Sequence, residues 1–494
     1  MKIYKLISLV LILAMVAGVL LACRDDIAGD TGVPDTDSPD AVQPNGTDDT
    51  PARLTPNLPD ADFQGHVFTF LTHHYTGDDW VSELPLELVS EEQTGEPISD
   101  AVFRRNMAIM ERFNIDIRMI GNPDEAGALR RAVGAGDSIY DAVLMFNNHV
   151  PGIVTGNLLL DTDALPYVDL TQPWWDDATQ AMSVANRHFL LAGDILILDN
   201  EATNALLFNK ELMADFGHQL PYALVHEGRW TMDALHDLIR DASADLDGDG
   251  TITPNDRHGL LVFNDSLHAF LVGGGGTLAR KDADDIPYMT VAEPRNISVF
   301  DRAIELFDPA HTLNIQQMPG GYDWTTVYLG SFEENRALFM WVRLRVIEWF
   351  RGMDSDFGIL PMPKFNEGQE RHYSAVNTWS GALLGVPRSA YNLERISIIL
   401  EALAAESRYT LQPAYYDIVL TRQFTRDEES EEMLDIIFAN RVYDVAAVYG
   451  IGDAWIGFIG LADRRTHVTT FFERNEPRML RDIEQLVDTF EAMD

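Results

Sequence analysis

Val67-Phe68-Thr69-Phe70-Leu71, then Ile115-Asp116-Ile117-Arg118-Met119, then Tyr140-Asp141-Ala142-Val143-Leu144-Met145-Phe146: these three runs decide how the chain is read. The first and third are largely apolar, as strands buried on both faces are. The second alternates. The intervals between them hold helices. Ser99 to Phe113 places Phe103, Met107 and Met110 on one face at spacings of four and three, and Asp124 to Ala135 is the second helix. Strand, helix, strand, helix, strand is the pattern of an α/β layer around a largely parallel sheet. Ligands of such sheets gather at the carboxyl ends of the strands. Asn147, just past Phe146, stands at one such end and is a candidate ligand-binding residue.

A second α/β set begins at about residue 198. Strands are expected at Leu206 to Lys210, Leu260 to Phe263, Ala337 to Val342, Phe357 to Leu360 and Ala382 to Val386. Helices are expected at Trp230 to Ala244 with Thr231 as N-cap, Asn296 to Phe307, Ser331 to Arg336, Leu393 to Glu406, Ser430 to Phe438 and Arg474 to Met493. With about 430 residues in this part, two cores are the default. Gly273 to Gly276 lacks the spacing of a nucleotide-binding loop and reads as a loop at a cleft rim.

The amino-terminal residues are of another kind. Lys2 and Lys5 precede an uncharged run from Leu6 to Ala22, which closes with Leu20-Leu21-Ala22-Cys23. The length and the small residue before the break read as a secretory signal. The ending resembles the lipobox of bacterial lipoproteins, which implies acylation of Cys23, the only cysteine of the 494-residue chain. Residues 24–60 hold nine Asp, six Pro and no aromatic residue, and are expected to form an extended tether. The chain would thus be exported and lipid-anchored at the outer face of the cell membrane. With 78 acidic against 36 basic residues, its net charge is −42. That disfavours nucleic acid, whose phosphates need a basic footprint, and disfavours flat contact with an anionic bilayer.

Several blocks then form a familiar order. Phe63-Gln64-Gly65 leads the first strand, and Thr94-Gly95-Glu96-Pro97 precedes Asp100-Ala101-Val102-Phe103-Arg104-Arg105-Asn106. Next come Gly136-Asp137-Ser138-Ile139-Tyr140-Asp141, Pro173-Trp174-Trp175-Asp176, Leu207-Phe208-Asn209-Lys210 and Phe357-Gly358-Ile359-Leu360-Pro361-Met362-Pro363-Lys364. Pro413-Ala414-Tyr415-Tyr416-Asp417 and Arg426-Asp427-Glu428-Glu429-Ser430 complete the series. Together they resemble the extracellular solute-binding proteins of bacterial ABC transporters, in the carbohydrate-type, maltose-binding-protein-like lipoprotein group. The resemblance implies a two-lobe periplasmic-binding-protein-like fold (type II), with interleaved lobes joined by crossing strands. It places 61–197 and 362–408 in one lobe and 198–361 and 409–494 in the other. It further implies a monomer that closes on a sugar and hands it to an ABC permease.

Two motifs bear on chemistry. Asp245-Leu246-Asp247-Gly248-Asp249-Gly250-Thr251-Ile252-Thr253-Pro254-Asn255-Asp256 matches a twelve-residue calcium loop. Asp245, Asp247 and Asp249 take positions 1, 3 and 5, the Thr251 carbonyl position 7, and Asp256 position 12, where Glu has the longer arm. Arg257 to Leu260, directly after the loop, looks like a turn into a strand, so the expected Ca²⁺ role is to staple a helix end. The second motif is aromatic. Trp174, Trp175, Trp324, Trp341 and Trp379 lie at expected loops or strand ends, with Arg343 beside Trp341. Flat rings pack on the apolar faces of sugars while polar side chains hold the hydroxyls. Trp379 and Trp341 are the foremost candidates.

No zinc-protease, nucleophile-elbow or Cys–His signature is present, and His73, His74 and His149, which could serve as ligands, read rather as exposed or capping residues. An enzyme is therefore not expected. Two alternatives stay open: a binder of peptide or another small solute, and a surface glycoside hydrolase, which the abundance of carboxylates and Trp would permit.

Overall fold

The computed structural model describes residues 53–74, 88–250, 253–318, 323–421 and 428–493. The secretory signal, Cys23 and the tether to residue 52 lie outside them, as does Thr251. Among the described residues no helix is long and apolar enough to cross a membrane.

The three opening runs become strands His66–His73, Ile115–Asn122 and Ala142–Phe146. The first pairs in parallel with both others, and Ala382–Gly385 adds an antiparallel edge beside Ala142–Phe146. The described residues include part of the stretch that composition assigns to the tether. The Leu54 amide donates to Tyr409 Oη at 2.7 Å, and Leu58 packs on the core of this sheet. The Leu54 contact is made by its backbone, the side chain being exposed, while Leu58 supplies the apolar contact.

Helix Pro97–Phe113 starts at a Pro in its first turn, with Glu96 accepting from the Ser99 amide at 2.9 Å. It ends on Asn114 in the left-handed region (φ 49°). Its buried stripe is not the expected one. Val102, Ile109 and Phe113 face the core with Arg105 and Asn106, whereas Met107 is exposed. Arg105 can occupy the core face because the Leu88 and Ile195 carbonyls and Ser407 Oγ accept from its guanidinium.

The second sheet runs in the order Phe357–Leu360, Asn204–Asn209, Ala337–Arg343, His258–Val262, Thr312–Asn314. The first two strands are antiparallel to their neighbours, while His258–Val262 runs parallel to both Ala337–Arg343 and Thr312–Asn314. Helix Met232–Ile239 is capped by Thr231 as expected but stops short of Ala244. There the chain turns to pair Ala244 with Arg257 across the acidic loop.

The chain leaves the first sheet after Leu191, which bridges Leu384, and enters the second at Asn204. It returns after Leu360 through Ser374–Ala375 and Val376, which bridges Thr203. A further core joins the two sheets' helices, with Val102 of the first beside Leu411 and Tyr415 of helix Leu411–Thr421. Gly273 to Gly276 is a close-packed helix end, not a free rim loop. A Cβ on Gly273 would stand 2.7 Å from Met362 Cβ, and one on Gly274 2.5 Å from Val299 Cγ1.

Candidate ligand cavity

Three neighbouring parallel strands of the second sheet end at one edge, and each delivers a residue to a cavity of about 290 Å³. Phe263 and Asp265 come directly after His258–Val262, Gln316 after Thr312–Asn314, and Arg343 ends Ala337–Arg343. Trp324 comes from the turn of helix at Trp324–Leu329, its ring 4.5 Å from that of Trp349 and near-perpendicular to it. The opposite wall is Trp379, carried on the segment that returns to the first sheet. Trp455 and Ile459 of helix Ala454–Gly460 complete the lining.

Trp379 is 41% exposed and leans on Trp455, with centroids 6.3 Å apart. Its loop is held by Asn377. The Asn377 Oδ1 accepts from the Trp379 amide at 2.9 Å, while its Nδ2 donates to Asp265 Oδ2 at 2.9 Å. One amide thus ties the wall from the first sheet to the strand end of the second. Arg343 is half-buried, and among the described residues its guanidinium has no hydrogen-bond or ion-pair partner. Burial pulls its pKa down, Asp265 opposes that, and Arg345 adds to it. A cation with several unmatched N–H donors on a cavity wall is ready to meet ligand oxygens.

The sequence candidates divide. Trp324, Arg343 and Trp379 line the cavity. Trp341 does not: it is 2% exposed and lies 6.1 Å behind the Phe263 ring, with its carbonyl accepting from Tyr328 Oη. Sharing a strand face with Arg343 was not enough, because residue 341 sits within the sheet and residue 343 at its end. Trp174 and Trp175 are also buried, and both indoles donate to Glu401, at 3.0 and 2.7 Å. They form a core clamp in the first sheet's layer. Asn147 lies behind the Trp379 loop. Its backbone amide donates to the Gly381 carbonyl at 3.1 Å, and its buried side chain faces Gly381 rather than the cavity. Of the residues missed, Asp265 had a signal, since it sits just past an expected strand. Trp455 sits in a short apolar helix that looks like core from sequence.

In the described part of the acidic loop, carboxylates accept from backbone amides. Asp245 Oδ2 accepts from the Gly250 amide at 2.8 Å, and Asp247 Oδ1 from that of Asp249 at 3.1 Å. Asp245, Asp247 and Asp249 each place a carboxylate oxygen within 4.8 Å of the others. The amide of Asp249 lowers the pKa of Asp247, but desolvation and the charges of Asp249, Asp256 and Asp245 together leave it raised. This donor set suits a hard cation. Asp256 is a correction. Its oxygens accept from the Leu246 and Thr253 amides at 2.8 and 2.7 Å, so it fastens the loop instead of joining the three carboxylates.

No protein-family model matches the sequence, and no curated protein matches it either. Solved structures do match in shape. One is a cyclo/maltodextrin-binding protein complexed with maltotetraose, with TM-score 0.54 and 12% identity over 87% of this chain and 98% of that one. Another is M. tuberculosis UspC, with TM-score 0.55 and 14% identity over 84% and 100%. A third is the ABC substrate-binding protein Lmo0181 from Listeria monocytogenes in complex with cycloalternan, with TM-score 0.52 and 11% identity over 85% and 99%. The fold is thus the type II periplasmic-binding-protein-like α/β fold, two lobes with interleaved chain.

Proposed function

We propose that this chain is the substrate-binding component of an ABC importer and captures a carbohydrate between its lobes. The observation that carries this reading is the composition of the cavity wall. The Trp324 and Trp379 rings offer flat apolar surface, with the largely buried Trp455 behind Trp379, while Arg343, Asp265 and Gln316 offer hydrogen bonds. That is the complement of a sugar. The structural neighbours that carry maltotetraose and cycloalternan support the same ligand class. Binding is followed by release to a permease, with no bond made or broken. A glycosidase needs two carboxyl groups about the scissile bond, and among the described residues Asp265 is the one carboxylate on the cavity wall.

The lobes are 61–197 with 362–408 and 198–361 with 409–494, and ligand contacts from both shift the population towards closure. Cys23 carries the lipid that holds the protein at the membrane, and Ca²⁺ in the acidic loop staples the end of helix Met232–Ile239. Titration calorimetry and solution scattering with maltotetraose, cycloalternan and a wider oligosaccharide panel test the main reading. The expected result is saturable binding with a smaller radius of gyration. Binding of peptides alone, or release of shortened glycans, would replace the proposal.

A further inference from the structure

Besides the acidic loop, the described residues bring one mixed set of ligating side chains together: His73, Glu125 and His149. The topology makes the set. His73 is the last residue of its strand, and His149 lies in the turn after the parallel neighbouring strand, so both imidazoles reach the same sheet edge. Glu125 opens the helix Glu125–Ala135, whose first turn covers that edge. His73 Nδ1 donates to Glu125 Oε2 at 2.6 Å, and His149 Nδ1 donates to Glu125 Oε1.

Both nitrogens and a carboxylate oxygen lie within 4.8 Å of one another. The carboxyl of Glu125 is fully buried, and among the described residues no Lys or Arg pairs with it. A buried carboxylate requires positive charge beside it, and here imidazoles alone supply the contact. None of the three residues lines the cavity.

We propose that His73, Glu125 and His149 form a binding site for a divalent transition-metal ion of the zinc class. Imidazole nitrogen suits zinc, copper, nickel and iron, whereas Ca²⁺ and Mg²⁺ take oxygen. Metal–ligand lengths of about 2.0–2.2 Å place tetrahedral ligand atoms about 3.3 Å apart. An ion held between the two Nδ1 atoms and the Glu125 carboxylate, all within 4.8 Å of one another, therefore needs only side-chain adjustment of the two rings and the carboxylate. Each imidazole then loses its Nδ1 proton to solvent, carries its one remaining proton on Nε2 and gives the Nδ1 lone pair to the ion, so metal binding releases protons. Three protein ligands leave a fourth position for water or a ligand oxygen. His149, with a third of its side chain exposed, provides the way in. An ion here would pin two strand ends to a helix start.

The test uses the full chain without an affinity tag, in detergent and excess Ca²⁺, titrated with Co²⁺ and separately with Zn²⁺. The expected result is one equivalent of Co²⁺ with a tetrahedral visible band, displaced by Zn²⁺. The band is lost in His149→Ala and His73→Ala and kept in Asp247→Ala. Zn²⁺ should raise the melting temperature of the parent and not that of His149→Ala. His149 is partly exposed, so that variant folds even if His73→Ala does not. Equal Zn²⁺ stoichiometry in the parent and in His149→Ala, or no binding to either, overturns the proposal.

Discussion

Replacing Trp379 by Ala should weaken sugar binding while leaving the fold intact, and the size of the loss can be worked from its exposure. The ring is 41% exposed. With about 250 Å² for a whole Trp side chain, roughly 100 Å² remains uncovered. A sugar ring that covers half to all of it gains about 1.2–2.5 kcal/mol at ~25 cal/mol per Å². That is roughly an 8- to 70-fold increase in Kd on truncation. Asn377 holds the loop through the Trp379 backbone, so the loop should keep its place in the variant. The melting temperature should fall by less than about 2 °C. Titration calorimetry with the tightest sugar of the panel, beside a thermal melt, reads both quantities. Trp341→Phe is the contrast: its site is buried behind Phe263, so melting temperature should fall more than affinity. An affinity for Trp379→Ala within about twofold of the parent would refute the assignment of this wall to the ligand.

Arg343→Met should cost more than about tenfold in sugar affinity, since charge-assisted bonds are worth roughly 1.5–3 kcal/mol. It should leave the melting temperature unchanged or higher, because a half-buried cation without an acceptor is removed; a lower melting temperature with intact affinity would contradict this. Glu401 has its pKa raised from 4.5 to about 7, chiefly by burial, with the indoles of Trp175 and Trp174 opposing. A raised carboxyl stabilises fully below its unfolded value, and that contribution is lost as pH climbs through about 7. The loss is up to about 3 kcal/mol, so melting temperature should drop from pH 5 to pH 8, and Glu401→Gln should flatten the drop; identical slopes would refute the account. Ca²⁺ should raise the melting temperature of the parent and not of Asp247→Ala, and equal curves in calcium and in chelator would remove the staple.

Much of the fold was legible in the sequence for local reasons. Apolar runs with bounding turns located His66–His73, Ala142–Phe146, Ala337–Arg343 and Phe357–Leu360 to within two residues or so. Thr231 was recognisable as a cap because an N-cap needs only its own helix. The face of helix Pro97–Phe113 was not legible, because a satisfied Arg105 in the core depends on Leu88, Ile195 and Ser407, far away in the chain. Thr312–Asn314 is too short to announce itself, yet it delivers Gln316 to the cavity.

By itself the sequence determined the order of strands and helices, the acidic surface charge, the carboxylates of the 245–256 loop and the supply of Trp at strand ends. Tertiary structure decided which of those rings lines the cavity. Trp174, Trp175 and Trp341 look no different in sequence from Trp324 and Trp379, and the first three are core. A ring's role depends on what lies opposite it. Here that is set by contacts such as Asn377 to Asp265, 112 residues apart. Local patterning carries no record of such pairings, because each partner is equally at home in a loop whichever way the lobes meet.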